Sequence, residues 1–280
     1  MLNPNISLAH VVSIGGTDPS GGAGIQADIK AISATGSYAA SIITVLVAQN
    51  TQTVISLQEI PLAFIQQQID AVFTDLSIAA VKLGMLYHEA IIHLISHNLK
   101  KYQPSFIVLD PVMISQTGHA LLKPQAIQAL AADLFPLATL ITPNVPEAES
   151  LLNLKITDAL TMQKAAILLA TRYKVSVLLK GGHLPLHDAS DIFYDFTQKQ
   201  IHRFETARIN TKNTHGTGCT LSAAIASYLA QGKTIIEAIA QAKYYLTQCL
   251  LAAKDLNLGQ GQGPVNHFYF LKKNTLCLIN

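Results

Sequence analysis

The sequence predicts an α/β fold: three layers, with a mostly parallel central sheet, helices on both faces and a small antiparallel edge. Three observations carry this reading. Short β-branched runs alternate with longer segments of helical pattern, the βαβα rhythm of a layered α/β domain. The runs are apolar throughout rather than alternating, as parallel strands covered on both sides are. After each run the chain turns polar or glycine-rich: "GGTDPSGGAG", "QNTQ", "GMLY", "DPVM", "PNVPE" and "KGGH". Open parallel sheets bind ligands outside the carboxyl ends of their strands. These six loops are ordinary polar connections or, on the reading followed here, the walls of one pocket.

The candidate strands, in order, are "HVVSI" (10–14), "SIITVLVA" (41–48), "AAVKL" (79–83), "FIVLD" (106–110), "TLIT" (139–142) and "VSVLLK" (175–180). Helical pattern covers 23–35, 61–75, 88–101, 123–133, 147–153 and 161–173. "DIFYDFTQKQIHRFETARI" reads as a hairpin turning near Gln198 and Lys199, which supplies the antiparallel edge. Two helices, near 218–231 and 234–254, close the domain. With no repeat, linker or low-complexity tract, residues 1–280 are expected to form a single domain.

Composition narrows the function. Half of the 280 residues are apolar and 13% are charged, enough material for a core on both faces of a sheet. The longest apolar stretch, "SYAASIITVLVA" (37–48), stops at Gln49 and Asn50, short of the ~18–20 residues that span a membrane. No basic segment precedes an apolar one at the N-terminus, so a secretory signal is not expected and a cytoplasmic location is. The net charge of +2, with signs interspersed, leaves no electrostatic footprint for nucleic acid. Cys219, Cys249 and Cys277 are too far apart in sequence for a disulfide framework or a zinc site. His93 and His97 lie four apart on a helix, but "HEAIIH" is one residue too long for the zinc-protease spacing and no third ligand is evident. The only arginines are Arg172, Arg203 and Arg208, so phosphate handling would fall mainly to lysine, metal and backbone amides.

Four stretches could carry chemistry. In "NTHGTGCTLSAAIASYLAQG" (213–232), Gly216, Thr217 and Gly218 stand where a buried helix begins. Unpaired amides and the positive dipole end there attract an anion, although "GTG" also occurs in plain helix caps. Cys219 falls in the first turn of this helix, where the dipole is expected to lower a thiol below its usual ~8.5; the alternative is a small buried hydrophobe. "GGTDPSGGAGIQAD" (15–28) is a second glycine loop entering a helix. It has neither the dinucleotide spacing nor the lysine of a P-loop, which speaks against a nicotinamide-dependent oxidoreductase. Asp28 lies at the margin of an apolar line made by Ile25, Ile29 and Ile32, either solvated or reaching a ligand. In "NVPE" (144–147), Glu147 opens a helix and either complements its dipole or holds Mg²⁺ through water, with Asp110 of "LDPVM" as a second carboxylate. "LLKGGH" sets Lys180 beside the open backbone of Gly181 and Gly182. Lys243 falls on the apolar line Ile236, Ile239, Leu246 and Leu250, where it either snorkels or points into a nucleotide site.

Together these pieces resemble the ribokinase-like fold and, within it, the hydroxymethylpyrimidine/phosphomethylpyrimidine kinases of bacterial thiamine biosynthesis. The resemblance is carried by "GGTDPSGGAGIQADIKA", "VLVAQNTQ", "KLGML", "LDPVM", "LITPNVPEAE", "LLKGGH", "NTKNTHGTGCTLSAAIA" and "GPVNHF", in family order from Val12 to Phe268. "HGTGC" in place of the superfamily's usual "GTGD" points to this branch. The resemblance implies ATP and Mg²⁺ as cofactors, a small pyrimidine substrate, and a homodimer. It implies that Gln49 bonds the ring edge and amino group, that Asp28 and the backbone near Gly16 hold the ring and its hydroxymethyl, and that Met85 and Val112 line the pocket. Gly216, Thr217 and Gly218 would form the anion hole, with Cys219 where related sugar kinases carry an aspartate base. Glu147, with Asn144 and more remotely Asp110, would organise Mg²⁺, and Lys180 with the loop at Gly182 would lie near the nucleotide. The expected activity is phosphorylation of the pyrimidine alcohol and then of its monoester. The alternatives are a pyridoxal or pyridoxine kinase and a non-catalytic pyrimidine-binding protein. Residues 113–122 and 183–190 are candidate lids, and the tail "YFLKKNTLCLIN" has no assigned role.

Overall fold

The computed structural model of the protein describes residues 8–113, 122, 124–182, 184 and 188–271. An eight-stranded sheet runs in the order β2 (Tyr38–Ile43), β1 (His10–Gly15), β5 (Ile78–Leu83), β6 (Phe106–Leu109), β7 (Leu140–Ile141), β8 (Ser176–Lys180), β9 (Asp191–Asp195) and β10 (Gln200–Phe204). Its first six strands are parallel. β8, β9 and β10 pair antiparallel, and Lys199 takes a positive φ at the hairpin turn expected there.

Period-two alternation divides the sheet's side chains between two cores. Val12, Ile14, Val81 and Leu83 pack against α2 (Leu62–Asp75), α3 (Glu89–Tyr102), α4 (Pro124–Ala129), α5 (Val145–Leu152) and α6 (Ala159–Tyr173). Val11, Ala80, Val108 and Leu178 face α1 (Gly24–Ala34), α7 (Thr217–Ala230) and α8 (Ile235–Ala253). This is the expected three-layer arrangement. Capping boxes open α5 (Asn144 with Glu147), α6 (Asp158 with Thr161) and α8 (Thr234 with Glu237). In each, one side chain satisfies an N-terminal amide that the helix itself leaves unpaired. Past α4 the chain continues through a wider turn (Leu130–Leu134) and a tighter one (Phe135–Leu137).

One expected strand proves to be two. Residues 41–48 do not run as a single central strand. The chain leaves the sheet at buried Thr44, whose N–H donates to Gly15 (2.9 Å) and whose hydroxyl donates to Met85 (2.8 Å). It then forms β3 (Val45–Gln49), which pairs antiparallel with β4 (Val54–Glu59) in a separate two-stranded sheet. β3 is half-covered: Val45 and Val47 are buried while Leu46 is 44% exposed. An apolar side chain on the open face makes the segment read as a continuously buried run. Of the lid candidates, 114–121 and 183, 185, 186 and 187 lie outside the described residues, as do Cys277 and most of the tail.

Candidate active site

Two glycine loops are packed back to back beneath a cavity of about 680 Å³ at the carboxyl edge of the sheet. Gly216, the N-cap of α7, has φ +79°, and a Cβ there would lie 1.8 Å from the Gly22 carbonyl oxygen. Gly24, with φ +57°, would put a Cβ 2.6 Å from the Gly16 oxygen. No L side chain fits either position. These glycines are therefore needed to bring the loops together, in addition to leaving room for a ligand. Asp18 ties the joint. Its carboxylate accepts from the amides of Ser20 (2.9 Å) and Ala23 (2.7 Å), from the Ser20 hydroxyl (2.7 Å), and meets His215 Nε2 at 2.7 Å. Burial opposes the charge, but these bonds, together with one from Gln49, hold Asp18 well below the usual carboxylate range.

No side chain caps α7. The Thr217 amide is taken by the Thr214 carbonyl (3.3 Å), so of the expected anion hole the Gly218 amide, with that of Cys219 after it, is left to face the cavity. Across from them, the position a Cβ would take on Gly218 is 3.2 Å from both Asp110 Oδ2 and Lys180 Nζ. The ammonium of Lys180 donates to Asp110 at 2.6 Å, and Thr142 donates to the same carboxylate at 3.0 Å. A helix N-terminus and a lysine thus converge on one small space, the chemistry of a phosphoryl site.

Glu147 stands beside this pair and is only 4% exposed. It accepts from the Asn144 amide (2.8 Å), while Asn144 Oδ1 accepts from the Glu147 amide (2.9 Å). Asn144 Oδ1 is engaged by the Glu147 amide, so the cap fixes where Glu147 stands. Burial and the neighbouring Asp110 push Glu147 up to about 7 although Lys180 pulls the other way. Two buried carboxyls sharing one ammonium form a donor set short of positive charge, which suits Mg²⁺ with its retained waters. Both expected roles of Glu147, helix cap and metal neighbour, are compatible with this placement. His93 is engaged by Asp133 at 2.6 Å, and no cluster of three metal-ligating side chains occurs among the described residues.

Cys219 faces the cavity, as its position in the helix implies. Its expected low pKa is not found. Desolvation pushes the thiol up to about 11, and the carboxylates of Asp28 and Asp110 add to the rise. Lys82 and the Gly24 amide work against it but do not prevail. The helix dipole that motivated the expectation is outweighed by burial among negative charges.

The remaining predicted residues, Gly16, Asp28, Gln49, Met85, Val112, Gly182 and Lys243, also line this cavity. Asp28 accepts from Lys82 at both oxygens (2.9 and 2.8 Å) and from Ser13 at Oδ2 (2.6 Å), which leaves further acceptor capacity on Oδ1. Lys243 does not snorkel outward; it donates to Asp191 (2.5 Å) and Ala189 (2.7 Å) in the cavity wall. Lys82, Ser13, Asp18, His215, Asp191 and Arg208 were not singled out from sequence. The signal for Lys82 was present, as a lone charge inside the apolar run "AAVKLGML". Arg208 donates to the carbonyls of Gly182 and Leu184 and so braces the loop after β8.

With this geometry in place, comparison with known proteins assigns the chain. The family described as phosphomethylpyrimidine kinase matches residues 18–266. The chain belongs to that family. This kinase is 45% identical to a hydroxymethylpyrimidine/phosphomethylpyrimidine kinase of Rhizobium meliloti over 93% of its own length and 97% of the relative's. It is 47% identical to a thiamine biosynthesis bifunctional protein of Geobacter sulfurreducens over 92% of its length, and spans only 52% of that longer relative. Among solved structures it resembles a Bacillus subtilis pyridoxal kinase in complex with ADP, with a TM-score of 0.86, 35% identity, and coverage of 94% of this chain and 99% of that one.

Proposed function

We propose that this kinase transfers a phosphoryl group from ATP to the hydroxymethyl oxygen of 4-amino-5-hydroxymethyl-2-methylpyrimidine and, in a second reaction, to the resulting monoester, in thiamine diphosphate biosynthesis. The observation that carries this reading is the meeting of the α7 N-terminus, the Lys180–Asp110 pair and Cys219 in one cavity, with Lys180 and Asp110 brought to within 3.2 Å of where a Gly218 side chain would begin.

Phosphoryl transfer asks mainly for positioning and charge neutralisation. The amides of Gly218 and Cys219, with Lys180, suit the transferring group. Asp110 and Glu147 would hold Mg²⁺, which when bound offsets charge between the β- and γ-phosphates. Lys243, Asp191 and the loop at Gly182, braced by Arg208, form the wall assigned to the nucleotide. Gln49, Met85, Val112 and the backbone at Gly16 form the wall assigned to the ring.

A thiol suits an acceptor site that must serve twice. The alcohol gives up a proton in the first transfer. The monoester, with a second pKa of ~6, is already ionised and gives up none in the second. An aspartate in place of Cys219 would repel the monoester, whereas a thiol pushed up to about 11 stays neutral as the monoester enters.

Pyridoxal is the competing acceptor, favoured by the likeness to the pyridoxal kinase structure. Direct competition of pyridoxal with the pyrimidine, read as ADP release, separates the two, and a larger kcat/KM for pyridoxal would reverse the assignment. Absence of ATP consumption with either acceptor would leave a non-catalytic binding protein. A homodimer is part of the proposal, supported by the exposed apolar residues Tyr38, Leu46, Ile55 and Phe64 around β2, β3, β4 and α2. Light scattering at twice the 30.1 kDa chain mass checks it. A cytoplasmic location is part of the proposal; no helix among the described residues is long and apolar enough to cross a membrane.

A further inference from the structure

Lys82 is a charge in the centre of the sheet. On β5 it follows the alternation that turns Ala80 toward the α1 and α7 face, and its side chain is 1% exposed. The β1–β5 register sets it directly beside Ser13. Asp28 reaches down from α1 to accept two bonds from Lys82 and one from Ser13. An ammonium has three N–H groups, and among the described residues the hydrogen bonds of Lys82 go to Asp28 alone. Two residues along, a Cβ on Gly84 would lie 2.9 Å from the Lys82 nitrogen, so glycine keeps the approach to the ammonium open. Lys82, Gly84 and Cys219 wall the same cavity. Burying a cation is costly, and a donor left over at a cavity wall is a place for a ligand.

We propose that Lys82 is a substrate-binding residue that donates to the phosphate of the monoester in the second transfer, and that its fixed charge is what admits this anionic acceptor. The inference rests on the two-transfer reading above. The alcohol is neutral, whereas the monoester brings ~1.5 to 2 negative charges toward a floor that already holds Asp28 and Asp110. Lys180 is placed at the α7 amides, against Asp110. Lys243 is bonded to Asp191 and Ala189 farther along the wall. Lys82, like Lys180, lies close enough to Cys219 to interact with it electrostatically, but of the two only Lys82 holds a donor not committed to Asp110 or the α7 N-terminus. The two acceptor-side residues then divide the work: Cys219 serves the alcohol and Lys82 serves the phosphate.

The test compares kcat/KM for the alcohol and for the monoester in three proteins: the unaltered enzyme, Asp28→Asn, and the charge-balanced pair Asp28→Asn with Lys82→Met. The pair removes both buried charges, so neither is stranded, and circular dichroism verifies its fold. If it does not fold, Lys82→Gln takes its place under the same readout. The ratio of monoester to alcohol efficiency is expected to fall about 10- to 100-fold when the ammonium is lost, the size of one charge-assisted hydrogen bond. It is not expected to fall in Asp28→Asn, which removes a negative charge from the floor but leaves the Lys82 side chain in place. Titration calorimetry with the monoester alone should show the same weakening. A proportionate loss in both transfers would mean a structural role only and would overturn the inference. An unaltered enzyme that never phosphorylates the monoester would instead overturn the two-transfer reading on which it rests.

Discussion

Cys219 and Glu147 carry the sharpest consequences at the scale of single residues. The thiol is pushed up to about 11, so its basic form grows with pH across the neutral range. If it takes the alcohol proton, the first transfer should quicken roughly tenfold per pH unit between about 7 and 9, while the second stays nearly flat. Cys219→Ala should lower the first transfer by ~10²-fold or more and the second by less than tenfold, with the pH slope of the first abolished. Equal losses in separately assayed half-reactions would contradict this role. Glu147 makes a different prediction. Its carboxyl, pushed up to about 7 in the fold, stands near ~4.3 in the unfolded chain. It therefore favours the folded state only when protonated, and stability is lost as pH rises from about 4 to 7. Glu147→Gln should accordingly raise stability at pH 8 by about 1–3 kcal/mol, measured by denaturant unfolding without metal. In calorimetry, the same substitution should weaken Mg²⁺–ATP binding. An unchanged midpoint together with unchanged binding would remove Glu147 from the site.

At the scale of elements, the site is a joint between the entry loop of α1 and the entry of α7. Gly216 needs a positive φ, and its hydrogen faces the Gly22 carbonyl. Gly216→Ala therefore combines backbone strain with a clash against main chain. It should cost about 3 kcal/mol and depress both transfers together, because the anion site is common to them. Retained melting temperature with normal activity would show that the loops do not depend on each other. This joint also marks how far the sequence could be read. The βαβ rhythm and the starts of α5, α7 and α8 were legible because cap residues and apolar periodicity are local. That Gly22 packs on Gly216, or that Asp18 meets His215 across 197 positions of chain, has no local signature. The split at Thr44 was hidden for a related reason: exposed Leu46 reads like core, and only the chain's departure from the sheet shows otherwise. Lys82 was visible as an anomaly, but its meaning required the Ser13 register and the reach of Asp28. The dipole at the helix start is local in sequence, whereas the burial that raises the thiol, and the carboxylates of Asp28 on α1 and Asp110 just after β6 that add to it, are tertiary.

At the scale of the whole molecule, the sheet brings every predicted site residue to one edge, so a single cavity must serve both transfers. Its outer strands are antiparallel and hold the wall assigned to the nucleotide, while the protruding β3–β4 pair holds Gln49. The account stands on the claim that the same amides and lysine act on two acceptors in turn. Mass spectrometry of the products formed from ATP and 4-amino-5-hydroxymethyl-2-methylpyrimidine tests it most directly. The account predicts a monophosphate that appears first and is then converted to the diphosphate by the same purified chain. A reaction that stops permanently at one phosphate, or that adds none, would contradict it.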